Sequence, residues 1–126
     1  MRMPERPSND LSFLEGCWRT DPFRHSPNQG DPGVSSYCFD RDGRGTLTFR
    51  RSDRSCRAPA QARYAPDGSL RIVDSDTRCS DGSPWAADRL DCRPAANGVA
   101  ACSGNSREPG SGAPTHWTVN LHRTGR

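Results

Sequence analysis

The sequence predicts an all-β domain: an eight-stranded antiparallel up-and-down barrel, entered through a short helical turn and stapled by disulfides. Three observations predict it. From Val34 onward, short strand-like runs alternate with Asp-Gly, Pro-Asp-Gly and Asn-Gly turn signals, and no long helical pattern intervenes. The runs follow one another as neighbours, and eight such strands are enough to close a small barrel and remove exposed edges. Six cysteines are scattered through 126 residues of which only 31% are apolar, so covalent staples are expected to supplement a lean core. A two-sheet sandwich is the rival arrangement of the same strands.

Taken in order, residues 1–9 are Pro-, Arg-, Ser- and Asn-rich and read as a flexible leader; residues 10–126 read as one barrel domain. Leu11 and Leu14 have the spacing of a helical turn, with Asn9 or Asp10 as its cap. Gly16 ends the turn, and Cys17–Thr20 starts the first strand. Asp21 to Gly33, with Pro22, Pro27, Asn28, Gly30 and Pro32, is a long loop. Val34–Phe39 and Thr46–Arg50 flank a hairpin turn at Asp40–Gly45. Arg57–Tyr64 is a weaker strand, with Pro59 predicting an edge or a bulge. Ala65-Pro66-Asp67-Gly68 is a turn, and Leu70–Asp74 is the next strand. Asp76–Pro84 reads as a polar loop. Trp85–Arg93 and Gly98–Ser103 form a hairpin around Asn97-Gly98. Gly104–Pro114 reads as a Gly/Ser/Pro loop, and Thr115–Arg123 as the last strand.

Period-two alternation selects an inward set: Trp18, Tyr37, Phe39, Leu47, Phe49, Leu70, Ile72, Leu90, Val99, Trp117, Val119 and Leu121. Six cysteines allow 15 connectivities; hairpin register narrows them without deciding, since a two-residue Asn97-Gly98 turn would set Cys92 opposite Ser103. A three-residue turn centred on Asn97 sets Cys92 opposite Cys102, although it also puts Leu90 and Val99 on opposite faces. A two-residue Asp67-Gly68 turn sets Cys56 opposite Cys79. Cys17 and Cys38 remain, and their bond would pin the long loop at its base. Cys-x-x-Cys and Cys/His spacings for zinc are absent, so disulfides and an oxidising location, periplasmic or secreted, are expected. The first residues do not form a signal peptide, which fits a mature chain or a domain of a longer protein. No stretch is long and apolar enough for a membrane-spanning helix.

The string Leu11-Ser12-Phe13-Leu14-Glu15-Gly16-Cys17-Trp18 resembles the Gly-x-Trp opening of lipocalins and related bacterial lipocalin-like (calycin-type) barrels. The resemblance implies a closed barrel with Trp18 as its floor and the long Asp21–Gly33 loop over its mouth. It also implies an arginine from the end of the last strand packed across Trp18, and Arg123 occupies that place. The Thr-Asp-Tyr string of many lipocalins is missing, so no ligand residues carry over.

The three histidines offer little chemistry. His25 reads as a solvated loop residue. His116 and His122 share the outward face of the last strand, so the haem that some similar barrels bind through a C-terminal histidine is not expected. Nucleophile, phosphate-loop and metalloprotease motifs are absent. Asp40-x-Asp42-Gly43 and Asp74-x-Asp76 have a faint calcium-loop look that turn chemistry explains better. Asp88 and Asp91 fall on opposite faces of one strand and are no acid/base pair. No catalytic residue, metal ligand or cofactor is expected. All 18 basic residues are arginine against 15 carboxylates, giving a net charge of +3. The densest run, Arg50 to Arg57, reads as a solvated strand end with its loop; an acidic partner or a phosphate is its other reading. Interspersed Asp argues against nucleic acid.

Two functions follow. The first is a non-enzymatic binding module for a small apolar or amphipathic ligand, with Trp18, Tyr37, Phe39, Phe49, Leu90 and Trp117 as candidate interior contacts. The alternative is a filled barrel that binds a protein partner, as an envelope accessory, inhibitor or immunity-type protein.

Overall fold

The structure, a computed structural model, describes residues 11–25, 30–94 and 99–125. The leader 1–9, the capping residues Asn9 and Asp10, and the Asn97-Gly98 turn lie outside the described residues.

The strands are β1 (Gly16–Thr20), β2 (Val34–Phe39), β3 (Arg44–Arg51), β4 (Arg54–Tyr64), β5 (Leu70–Asp74), β6 (Thr77–Arg78), β7 (Pro84–Trp85), β8 (Arg89–Pro94), β9 (Ala100–Arg107) and β10 (Pro114–Gly125). Eight of them close a barrel in the order β1-β10-β9-β8-β5-β4-β3-β2; β6 and β7 pair as a separate small hairpin. Every barrel pairing is antiparallel, and β10 closes on β1. The predicted barrel, not the sandwich, is therefore the fold.

A 3-10 turn, Ser12–Leu14, precedes β1, with Leu11 at its N-cap and no side-chain cap. Gly16 follows at φ 118°, a conformation glycine adopts without strain, and this redirects the chain into β1. Leu14 is fully buried and Trp18 nearly so, and the Trp18 indole N–H donates to the Leu14 carbonyl at 2.8 Å. Register sets Trp18 opposite Arg123, whose guanidinium lies 4.0 Å from the ring centroid and donates to the Glu15 and Phe13 carbonyls. The Leu11–Glu15 segment thus packs at one end of the barrel as its plug.

The inward set is buried as expected except for Val99. The β8–β9 register sets Leu90 opposite Gly104 and Cys92 opposite Cys102, so Ala100 faces the core and Val99 does not. Large side chains meet small ones: β4 contributes Ala58, Ala60 and Ala62 to the interior, beside Tyr37, Leu47 and Phe49 from β2 and β3.

Four sequence expectations change. β4 is a long strand between β3 and β5, not an edge. The Ala62 N–H bonds to Gly43 on the β3 side, so by alternation the nitrogen of Pro59 faces β5, whose ladder stops at Ala60. Proline therefore costs no ladder bond there. Asp76–Pro84 is no plain loop; it carries β6 and β7. Trp85 belongs to β7, separate from β8. Gly104 lies inside β9, where the Trp117 ring on β10 occupies the space a Cβ would need.

The disulfides join Cys17–Cys38, Cys56–Cys79 and Cys92–Cys102, as expected. The first lies on the outer wall, and the third faces the core. The route to the second differs from the expected hairpin. Tyr64 pairs with Leu70, one residue out of the register that a two-residue Asp67-Gly68 turn requires, and the chain makes up the difference beyond β5 before an isolated bridge between Cys56 and Cys79.

Candidate binding site at the barrel mouth

At the end opposite the plug, the first long loop folds back on the barrel. Phe23 pairs with Gly33 through two backbone hydrogen bonds, and the Ser52 hydroxyl in the β3–β4 turn donates to Asp31 at 2.8 Å. These ties lay Phe23 and His25 over the strand ends. Phe23 stacks on Trp117 at 5.9 Å between centroids. His25 is not a solvated loop residue: its ring meets Phe49, Trp85 and Trp117 edge-on at 5.0, 5.2 and 4.5 Å, and its side chain is only 17% exposed. Sequence reasoning missed this because Pro22, Pro27 and Pro32 signalled a loop without saying where it lies.

A second wall comes from the β6–β7 hairpin. Cys79 ties it to β4, and the backbone N–H of Ser80 donates to Ser55 at 2.7 Å. This brings buried Trp85 against Phe49, with centroids 4.9 Å apart.

Next to these rings lies an acidic pair, half-buried Asp74 and buried Asp88. Asp74 Oδ1 accepts from the Trp85 indole N–H at 3.1 Å and from the Asp88 backbone N–H at 2.9 Å. Asp76 accepts from the Ala87 N–H, which fixes the same segment. The Asp74-x-Asp76 pair therefore braces a hairpin, and Asp40 likewise accepts the Asp42 and Arg44 N–H groups of its own turn. Among the described residues, no group of three His, Cys, Asp or Glu side chains could hold a metal. Asp88 is 5% exposed, and its Oδ2 lies 3.4 Å from His25 Nε2. Asp91, by contrast, faces outward between Arg71 and Arg89. Burial, reinforced by the charge of Asp88, pushes the Asp74 pKa up to about 8. Burial, and then the charges of Asp74 and Asp88, also raise the Tyr37 hydroxyl well above its usual value.

Between the loop, the hairpin and the β9–β10 turn opens a cleft of about 280 Å³. Phe49 and Trp85 supply its aromatic surfaces, His25 and Asp88 one polar side, and Arg51 and Arg54 another; Arg107 and Glu108 stand on the rim. Of the six candidate interior contacts, Phe49 lines this cleft. Trp117 lies under Phe23 and His25. Trp18, Tyr37, Phe39 and Leu90 are packed in the interior, where Tyr37 stacks on Phe39 at 5.9 Å. His116 and His122 are on the outer face of β10, bonded to Asn105 and paired with Asp21 respectively. The sequence reading did not place Trp85, His25 or Asp88 at a site. Arg50–Arg57 had the composition for an anion partner, but its position at the mouth depends on the β3–β4 register.

No protein-family model, curated protein or solved structure matches the chain.

Proposed function

We propose that the protein is a non-enzymatic binding module of the lipocalin-like, calycin type, which takes one small amphipathic ligand at its mouth under the Asp21–Gly33 loop. The cleft carries this reading: an apolar floor of Phe49 and Trp85 meets the polar groups of His25, Asp88, Arg51 and Arg54. That is the composition of a small-molecule site, and its volume lies near the lower end of the usual range of about 300–1,000 Å³. A compact ring system suits it better than a long acyl chain. The carboxyl with the raised pKa, Asp74, is not among the residues that line the cleft. Three disulfides fit a periplasmic or secreted setting.

The packed interior favours a second reading, a filled barrel that binds a protein partner. A fluorescence titration with the neutral probe N-phenyl-1-naphthylamine separates the two. The ligand-binding reading expects saturable binding at one site and a clear loss of affinity in Trp85→Ala. Folded protein that gives no saturable signal would leave the protein-partner reading in its place.

A further inference from the structure

Arg51 and Arg54 stand directly opposite each other across the tight Ser52-Asp53 turn. Like charges in that position normally destabilise a hairpin. Their neutralisation is slight: the one ion pair either makes among the described residues is a long contact of Arg54 with Asp81 at 3.9 Å. Arg51 is partly buried and makes no ion pair or hydrogen bond among the described residues. The turn residue Asp53 makes no ion pair with either arginine.

Arg54 is held rigidly: its Nη2 donates to the Pro84 carbonyl and touches Cys79 Sγ, each at 3.2 Å. Its Nε is buried and has no hydrogen-bond acceptor among the described residues. The nearest carboxylate oxygen, Asp81 Oδ1, is 3.9 Å away and already accepts from the Ser83 N–H and hydroxyl. Burial, and then the charge of Arg51, lower the pKa of Arg54. Both arginines line the aromatic cleft. The other charges there do not cancel them: Asp88 is engaged by His25, and Glu108 has Arg107 beside it on the rim.

We infer that Arg51 and Arg54 form an oxyanion subsite, so that the ligand class is a small flat apolar body bearing one carboxylate, sulfonate or phosphate. The anion bridges the two guanidinium groups across the turn while the body lies against Phe49 and Trp85. Arginine suits this role because its planar donor fork matches such groups. The inference rests on the ligand-binding reading of the cleft and names the charged end of that ligand.

A matched probe pair tests it on the full, oxidised chain. 1-Anilinonaphthalene-8-sulfonate and N-phenyl-1-naphthylamine share their ring system and differ by the sulfonate. The sulfonate probe is expected to bind about tenfold tighter, the worth of one charge-assisted hydrogen bond. Arg51→Gln and Arg54→Gln should each remove most of that preference, read as the ratio of the two probes' affinities within each variant. Arg54 also braces the hairpin, so Arg51, which makes no ion pair or hydrogen bond among the described residues, is the decisive variant should Arg54→Gln fail to fold. Equal affinity for the two probes, or a preference that survives Arg51→Gln, overturns the anion subsite while the cleft stands. Failure of both probes to bind overturns the cleft itself.

Discussion

Asp74 shows how one half-buried side chain governs the pH response of the mouth. It accepts hydrogen bonds from Trp85 and Asp88, yet burial and the Asp88 charge hold its pKa near 8 rather than its ordinary 3.8. The folded protein keeps that proton between those values, whereas the unfolded chain has released it. The fold therefore binds more protons in this window and loses stability as pH rises, by at most about 1.4 kcal/mol per pH unit for one proton. Urea unfolding from pH 5 to 8 should show this decline, and Asp74→Asn should flatten it. A decline that persists in Asp74→Asn would assign it to other groups. At the opposite end, Arg123 covers Trp18 and holds two carbonyls. Arg123→Ala should cost about 1–2 kcal/mol, read as a lower urea midpoint with no effect on probe binding. The Trp18–Arg123 pair was legible through the resemblance to the lipocalin opening, which implies such an arginine, with Arg123 two residues after inward-facing Leu121. The sequence could not reveal Asp74 or His25, whose roles depend on which side chains the loops bring against them.

At the scale of elements, the strands were most legible where alternation is clean. Val34–Phe39 and Leu70–Asp74 are strands with the expected bounds. Legibility failed where tertiary pairing overrides local composition. Gly104, Asn105 and Ser106 look like loop, yet they complete β9 because β10 pairs with them and Trp117 needs the space of a glycine. Gly104→Ala should therefore lower stability by about 1–3 kcal/mol through overpacking against Trp117, measurable by thermal melting. The β6–β7 hairpin was invisible because two-residue strands carry no periodicity; only Cys79 hinted at an anchor. Replacing Cys56 and Cys79 together by Ala should cost about 2–4 kcal/mol. It should also weaken probe binding more than replacing Cys17 and Cys38, since only the former pair holds a wall of the cleft.

The whole molecule is a closed barrel with a sealed floor and a worked mouth. Its turns and alternation pointed to closure over the rival sandwich, and hairpin register with elimination led to the three disulfides, although the register expected for Cys56–Cys79 was off by a residue. Non-reducing peptide mapping should recover Cys17–Cys38, Cys56–Cys79 and Cys92–Cys102; a Cys17–Cys56 or Cys38–Cys79 bond would contradict the fold. The cleft was not legible, because it joins residues from the first loop, the β3–β4 turn, the small hairpin and the β9–β10 turn. Such a site exists only once the barrel closes. Its occupancy is tested most directly by a ¹⁵N–¹H correlation titration with 1-anilinonaphthalene-8-sulfonate. The account predicts saturable shifts at the Trp85 indole N–H and the backbone amides of Arg51, Arg54 and Ser106, with Ser36 and Thr48 on the outer wall unmoved. Shifts confined to that outer wall, or none at saturating probe, would contradict it.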